Sequence, residues 1–123
     1  MVEDFRLVIK DKVMEVRSSL LLVKNQHVLL VKDQDIYYTV GGAVQFGELS
    51  HEAVSRETTE ELGIGISNKQ LAFVVENHFT SGQQKWHNIE FHYFAEAETS
   101  PPLQMLENKE LRQCEWVAFS QLK

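Results

Sequence analysis

The chain contains a single cysteine, Cys114, which excludes an internal disulfide, and its strand-like neighbours suggest a buried thiol. Proline is confined to the pair Pro101-Pro102, so every apolar segment before it runs free of that interruption. Long hydrophobic runs are absent. Runs such as Leu20 to Val23 and Val28 to Val31 are far too short to cross a bilayer, so no membrane partner is expected. The opening Met-Val-Glu-Asp-Phe-Arg lacks the basic and apolar regions of a signal peptide. Basic residues are outnumbered, 12 Lys and Arg against 18 Asp and Glu, giving a formal charge of −6. Indiscriminate binding to extended nucleic acid needs basic surface and is excluded as the main activity. A small phosphorylated ligand is not excluded, because a bound metal supplies positive charge locally. No repeat or low-complexity segment is visible. These features together favour a cytoplasmic protein.

What remains is an ordinary globular composition, 43% apolar and 24% charged, and 123 residues predict one domain, 1–123. Val13 to Val23 and Val28 to Lys32 read as a hairpin turning at Asn25 and Gln26. Ile36 to Val40 is a third strand, ending at Gly41-Gly42. Leu71 to Thr80 and Lys85 to Ala97 form a second hairpin around Ser81-Gly82-Gln83-Gln84, and Ile89, Phe91 and Tyr93 show a period of two. Thr99 to Pro102 starts a loop, and Leu111 to Ala118 is a final strand. Phe119 to Lys123 reads as the start of a helix with Ser120 as N-cap, so a C-terminal helix is short or missing. Apolar surface left by such a helix is what a second copy of the chain, in a homodimer, would cover.

One helix has clear boundaries. Ser50 is the expected N-cap, Leu49 and Val54 the expected staple, and Gly63 the left-handed closing residue. Val54, Thr58 and Leu62 share a stripe that should face the sheet, and Glu57, Glu60 and Glu61 fill the adjacent arc. Like charges at this spacing weaken a helix by roughly 0.2–0.5 kcal/mol per pair. A hard divalent cation reverses that sign, since Mg²⁺ takes carboxylate, water and phosphate oxygens together. The glycines ahead of the helix let backbone approach the same place. The alternative reading of the three glutamates is a solvated face, with Arg56 and Glu60 as an ordinary i,i+4 pair.

The whole stretch resembles the signature of the Nudix hydrolases: Gly42, Glu48, Arg56, Glu57, Glu60, Glu61 and Gly63 stand at the required spacing, with Ile64 at the closing apolar position. Two positions depart. Thr58 replaces an aliphatic residue, and its hydroxyl is expected to bond back to the carbonyl of Val54. Thr39-Val40-Gly41-Gly42 replaces the frequent Leu-Pro-Gly-Gly. The resemblance implies an α/β fold, an α/β/α sandwich around a mixed sheet. It further implies a catalytic set of Glu57, Glu60, Glu61, Arg56 and Glu48, and metal ligation of Mg²⁺ or Mn²⁺ by Glu57, Glu60, Glu61 and the carbonyl of Gly41. Arg56 and Glu48 would form a buried ion pair that orients the helix. Glu110 is the candidate later carboxylate, with Glu107 as the alternative.

Four further residues are candidates for the substrate. Phe79 and Trp86 flank a loop and are placed to stack on a base, or simply to cover a sheet, while Arg17 and Lys85 are candidate phosphate holders. His87 and His92 lie five apart on a strand, hence on opposite faces, which excludes a shared zinc. The activity implied is a metal-dependent pyrophosphohydrolase that cleaves a nucleoside diphosphate linked to another moiety. The rival is a nucleotide sensor on the same fold. A third reading, a prenyl diphosphate isomerase, finds no cysteine near the motif to act as its acid.

Overall fold

The computed structural model describes residues 3–122, which form nine strands, one α-helix and one 3-10 turn. Their order is β1 (Arg6–Ile9), β2 (Lys12–Lys24), β3 (His27–Asp33), β4 (Ile36–Tyr38), β5 (Gly41–Ala43), α1 (Ser50–Leu62), β6 (Ile66–Ser81), β7 (Gln84–Ala97), β8 (Gln104–Glu107) and β9 (Glu110–Ala118). The strands join in one mixed sheet of order β6-β7-β2-β3-β9-β8, with β1 and β5 also on β2 and β4 on β3. β2 and β7 run parallel over eleven residue pairs, and the other pairings are antiparallel.

The tight turns follow their residues. Asn25 and Gln26 join β2 to β3 with φ of 51° and 62°, and Asn108 and Lys109 join β8 to β9 with φ of 50° and 67°. Two successive left-handed residues give the twist that a two-residue hairpin needs, and asparagine tolerates it. The core lies under α1. Leu20 and Leu22 of β2, Leu29 and Val31 of β3, and Tyr93 and Ala95 of β7 meet Val54 and Leu62 of the helix. Cys114 of β9 is buried among them, as its setting predicts.

The expected mixed sheet with a C-terminal helix short or missing is what the structure has, since only one α-helix is present among the described residues. Several local expectations need correction. Phe119–Gln121 is a 3-10 turn capped at Ala118 rather than Ser120, and Lys123 lies outside the described residues. The N-cap of α1 is Leu49, not Ser50; the Leu49 amide donates to Glu52 Oε1, and the Leu49 side chain is exposed, so the staple with Val54 does not form. Ser50 is drawn inward instead, its hydroxyl 2.6 Å from that of Tyr93 and its carbonyl accepting from Ser18. Strands β1, β5 and β8 were not expected, being short and lacking a two-residue period. The far end of the helix behaves as read: Gly63 closes it at φ 72°, and Thr58 Oγ1 donates to Val54 O at 2.7 Å.

Candidate metal and substrate site

α1 places its acidic arc beside the β5 strand. Arg56 is the hub of this region. Its Nε and one terminal nitrogen bind both oxygens of Glu48 at 2.7 and 3.1 Å, a fork geometry that fixes both groups. The same terminal nitrogen donates to Ala43 O at 3.0 Å, while the other reaches Glu57 at 3.0 Å and Glu60 at 3.2 Å. Glu48 also accepts from the amide of Gln45, so the loop before the helix is tied to the helix itself. The Arg56 hydrogen bond holds the Glu48 carboxyl below its ordinary range, and the Glu48 bond raises the guanidinium.

Glu57 and Glu61 differ from Glu60 in burial. Desolvation, and then the charge of Glu57, push the Glu61 carboxyl up to about 8; a backbone hydrogen bond from Gly41 acts against this. Glu57 is raised chiefly by desolvation as well. Glu61 Oε1 is buried with no hydrogen-bond partner among the described residues. Close approach is made possible by glycine: a Cβ on Gly42 would sit 2.6 Å from the Glu57 carboxyl carbon, and one on Gly41 would collide with the carbonyl of Ser18.

No three His, Cys, Asp or Glu groups among the described residues form a ready-made ligating cluster, and Arg56 occupies one oxygen each of Glu57 and Glu60. The donor set nonetheless fits a hard divalent cation. A buried, orphaned carboxylate oxygen beside a second carboxylate is costly alone and suited to share a cation.

The candidate later carboxylates separate clearly. Glu110 is exposed, with Oε2 3.2 Å from Arg112. Glu107 accepts from Tyr38 at 3.0 Å and adds its charge to the forces on Glu61. Glu107, not Glu110, is therefore the one directed towards the helix.

A second region continues from β5 across β2, β7 and β6. Register puts Arg17 opposite Ala43 on one side and Glu90 on the other. The next row holds Glu15, Asn88 and Asn77, and the one beyond it Val13, Trp86 and Phe79. Glu15 is 1% exposed and held by Arg6 and by Arg17, the latter at 2.7 Å. Burial works to lower the Arg17 pKa, but the Glu15 hydrogen bond and the charges of Glu15, Glu90 and Glu57 outweigh it. Phe79 and Trp86 lie parallel within 4°, their centroids 6.0 Å apart. A cavity of about 470 Å³ is shared by Arg17, Phe79 and Trp86, three of the four substrate candidates. Lys85 does not join them. It lines another, more apolar cavity with Leu7, Ile9 and Met14, which Trp86 also borders. Sequence reasoning missed Glu15 and Asn88; a charged or amide residue within a β-rich run was the available signal.

Solved structures with this fold include a MutT NUDIX hydrolase from Burkholderia pseudomallei, 25% identical with a TM-score of 0.74, covering 89% of this chain and 87% of that one. A mutator MutT protein from Bacillus halodurans is 23% identical at a TM-score of 0.67, over 85% of this chain and 68% of that one. An ADP-ribose pyrophosphatase from Streptococcus suis is 12% identical at 0.66, over 88% and 76%. No curated protein matches the sequence. The NUDIX domain profile matches residues 14–123, from the core strand β2 through the acidic helix to the last residue, and on that ground the chain belongs to the Nudix family.

Proposed function

We propose that the chain is a divalent-metal-dependent pyrophosphohydrolase acting on a small nucleotide, a nucleoside diphosphate linked to another moiety. The observation that carries this reading is the pair Glu57 and Glu61, two half-buried carboxylates side by side with one oxygen left unpartnered. Glu57, Glu60 and Glu61, with backbone from Gly41, would hold Mg²⁺ or Mn²⁺; Glu107 replaces Glu110 as the further carboxylate. When bound, the metal supplies charge neutralisation of the diphosphate oxygens and a more acidic water. Arg56 and Glu48 keep the helix and its preceding loop in register, which fixes where the carboxylates point. Arg17 stands next along the sheet to orient a phosphate oxygen, and its three carboxylate neighbours keep it charged throughout the working pH range. Positioning and charge neutralisation together account for most of the barrier reduction in reactions of this class. The ADP-ribose pyrophosphatase among the structural neighbours has an activity of the same class.

The test is a panel of nucleoside diphosphate derivatives incubated with Mg²⁺, scored for monophosphate release by wild type and by Glu61→Gln. Release by the wild type and its loss in the folded variant are expected. Tight nucleotide binding with no product from either protein would make the chain a sensor instead.

A further inference from the structure

The cavity on the β2–β7–β6 face has a feature that the hydrolase reading leaves unused. Asn88, 7% exposed, lines this cavity, and its Oδ1 is buried without a hydrogen-bond partner among the described residues. A buried amide left in this state costs free energy that a bound donor would return. Its row neighbours do not serve it: Glu15 is only an acceptor here and is occupied by Arg6 and Arg17. On the row beyond, Phe79 and Trp86 present a flat, partly exposed aromatic wall.

The geometry points to Asn88 as the specificity-determining residue of this site, accepting a hydrogen bond from an N–H of a planar heterocyclic base that lies against Phe79 and Trp86. This rests on the proposed hydrolase reading for the placement of the diphosphate. Three alternatives at the same end of the substrate fit less well. An alkyl group would cover the aromatic wall but leave the Asn88 oxygen unpaired. A sugar would supply hydroxyl donors, but its C–H face covers the two rings less fully than a second planar π-system does. A cationic group would find the Glu15 carboxylate already neutralised by two guanidinium groups. The cavity volume falls within the ordinary range for small-molecule sites. From Ala43, beside the acidic helix, to Asn88 is two strand spacings and two residues along the strands. That is about 12 Å, a gap which a sugar and phosphate linker spans.

The probes are AMP, GMP, CMP and UMP, with ribose 5-phosphate as the base-free control, titrated by calorimetry into metal-free wild type. At least one nucleotide should bind about tenfold more tightly than ribose 5-phosphate. The monophosphates of purine riboside and pyrimidin-2-one riboside, whose bases carry no N–H, should lose that advantage. Asn88→Leu should abolish the preference while leaving the affinity for ribose 5-phosphate unchanged. Equal binding of all ligands, or undiminished binding of the bases without N–H, overturns the proposal. Both of those measurements use only wild-type protein, so a failure of Asn88→Leu to fold does not protect it. Monophosphates are not cleaved in this assay, so its outcome is separate from the hydrolase reading. Turnover retained in Glu61→Gln sinks that reading alone, and loss of base preference sinks this one alone.

Discussion

Two clusters of charge meet at Ala43, and they are built differently. Around α1, four carboxylates, Glu48, Glu57, Glu60 and Glu61, face the single guanidinium of Arg56. Across β1, β2 and β7, the carboxylates of Glu15 and Glu90 face two guanidinium groups, Arg6 and Arg17. With exposed Asp4 lying 3.8 Å from Arg6 at its rim, the sheet cluster is close to balance, so its charges hold one another and keep Arg17 in place. The helix cluster carries excess negative charge and an orphaned oxygen, an arrangement suited to a cation from outside. Balance lets the sheet cluster hold its side chains in position, and imbalance leaves the helix cluster with an unmet demand for positive charge.

Glu61→Gln strikes the unbalanced cluster and has the largest expected effect. Turnover with Mg²⁺ should fall by roughly 10³-fold or more, if metal polarisation supplies several kcal/mol. The same change should raise the melting temperature of the metal-free protein at pH 8 by a few degrees. The sign follows from burial: the folded-state pKa is raised from 4.5 to about 8, so ionisation of Glu61 erodes stability as pH climbs through that window. The glutamine escapes this loss. Added Mg²⁺ should then stabilise wild type more than the variant. A variant less stable than wild type at pH 8 would show that Glu61 is not strained.

Gly42→Ala comes next. Its new methyl meets the movable end of Glu57, so the fold should survive while the carboxylate shifts, lowering turnover by about 10²-fold. Calorimetric unfolding beside a rate measurement separates the two effects; an unaltered rate would remove Glu57 from the set. Glu15→Gln attacks the balanced cluster. Leaving two guanidinium groups without their shared partner should cost about 2 kcal/mol of stability, after allowing for their partial exposure. Denaturant unfolding measures it, and a neutral result would break the distinction between the clusters.

The smallest effect belongs to Cys114. Burial, and then the charge of Glu61, push its thiol up to about 11. Native protein should resist alkylation at pH 8 and react once unfolded. Its contribution to stability is complete below pH 9 and is lost as pH rises towards 11. In Glu61→Gln the thiol should titrate slightly lower, a shift that alkylation rates against pH would detect.

How far each region could be read in advance differs for the same reason. The acidic helix is local: its glutamates, its hub arginine and its closing glycine lie within a few turns, where spacing alone sets neighbours. Even there, Ser50 was misread as a cap, because the pull of Tyr93, 43 residues away, is invisible along the chain. The balanced cluster is non-local. Glu15 meets Arg6 through the β1–β2 hairpin and lies beside Asn88 through a parallel pairing, and no spacing rule reports either. Lys85 and Trp86 show the limit most simply, since Trp86 reaches the cavity of Arg17 and Asn88 while its neighbour Lys85 does not.

The order of residues alone settled the family, the helix, its acidic face and the glycine approach, because each is a short-range matter of spacing and backbone freedom. Register and packing decided the rest: which carboxylate leans inward, which arginine is held, and which amide lies buried without a partner. Those depend on contacts between strands far apart in the chain, where a shift of one residue would turn every side chain to the other face.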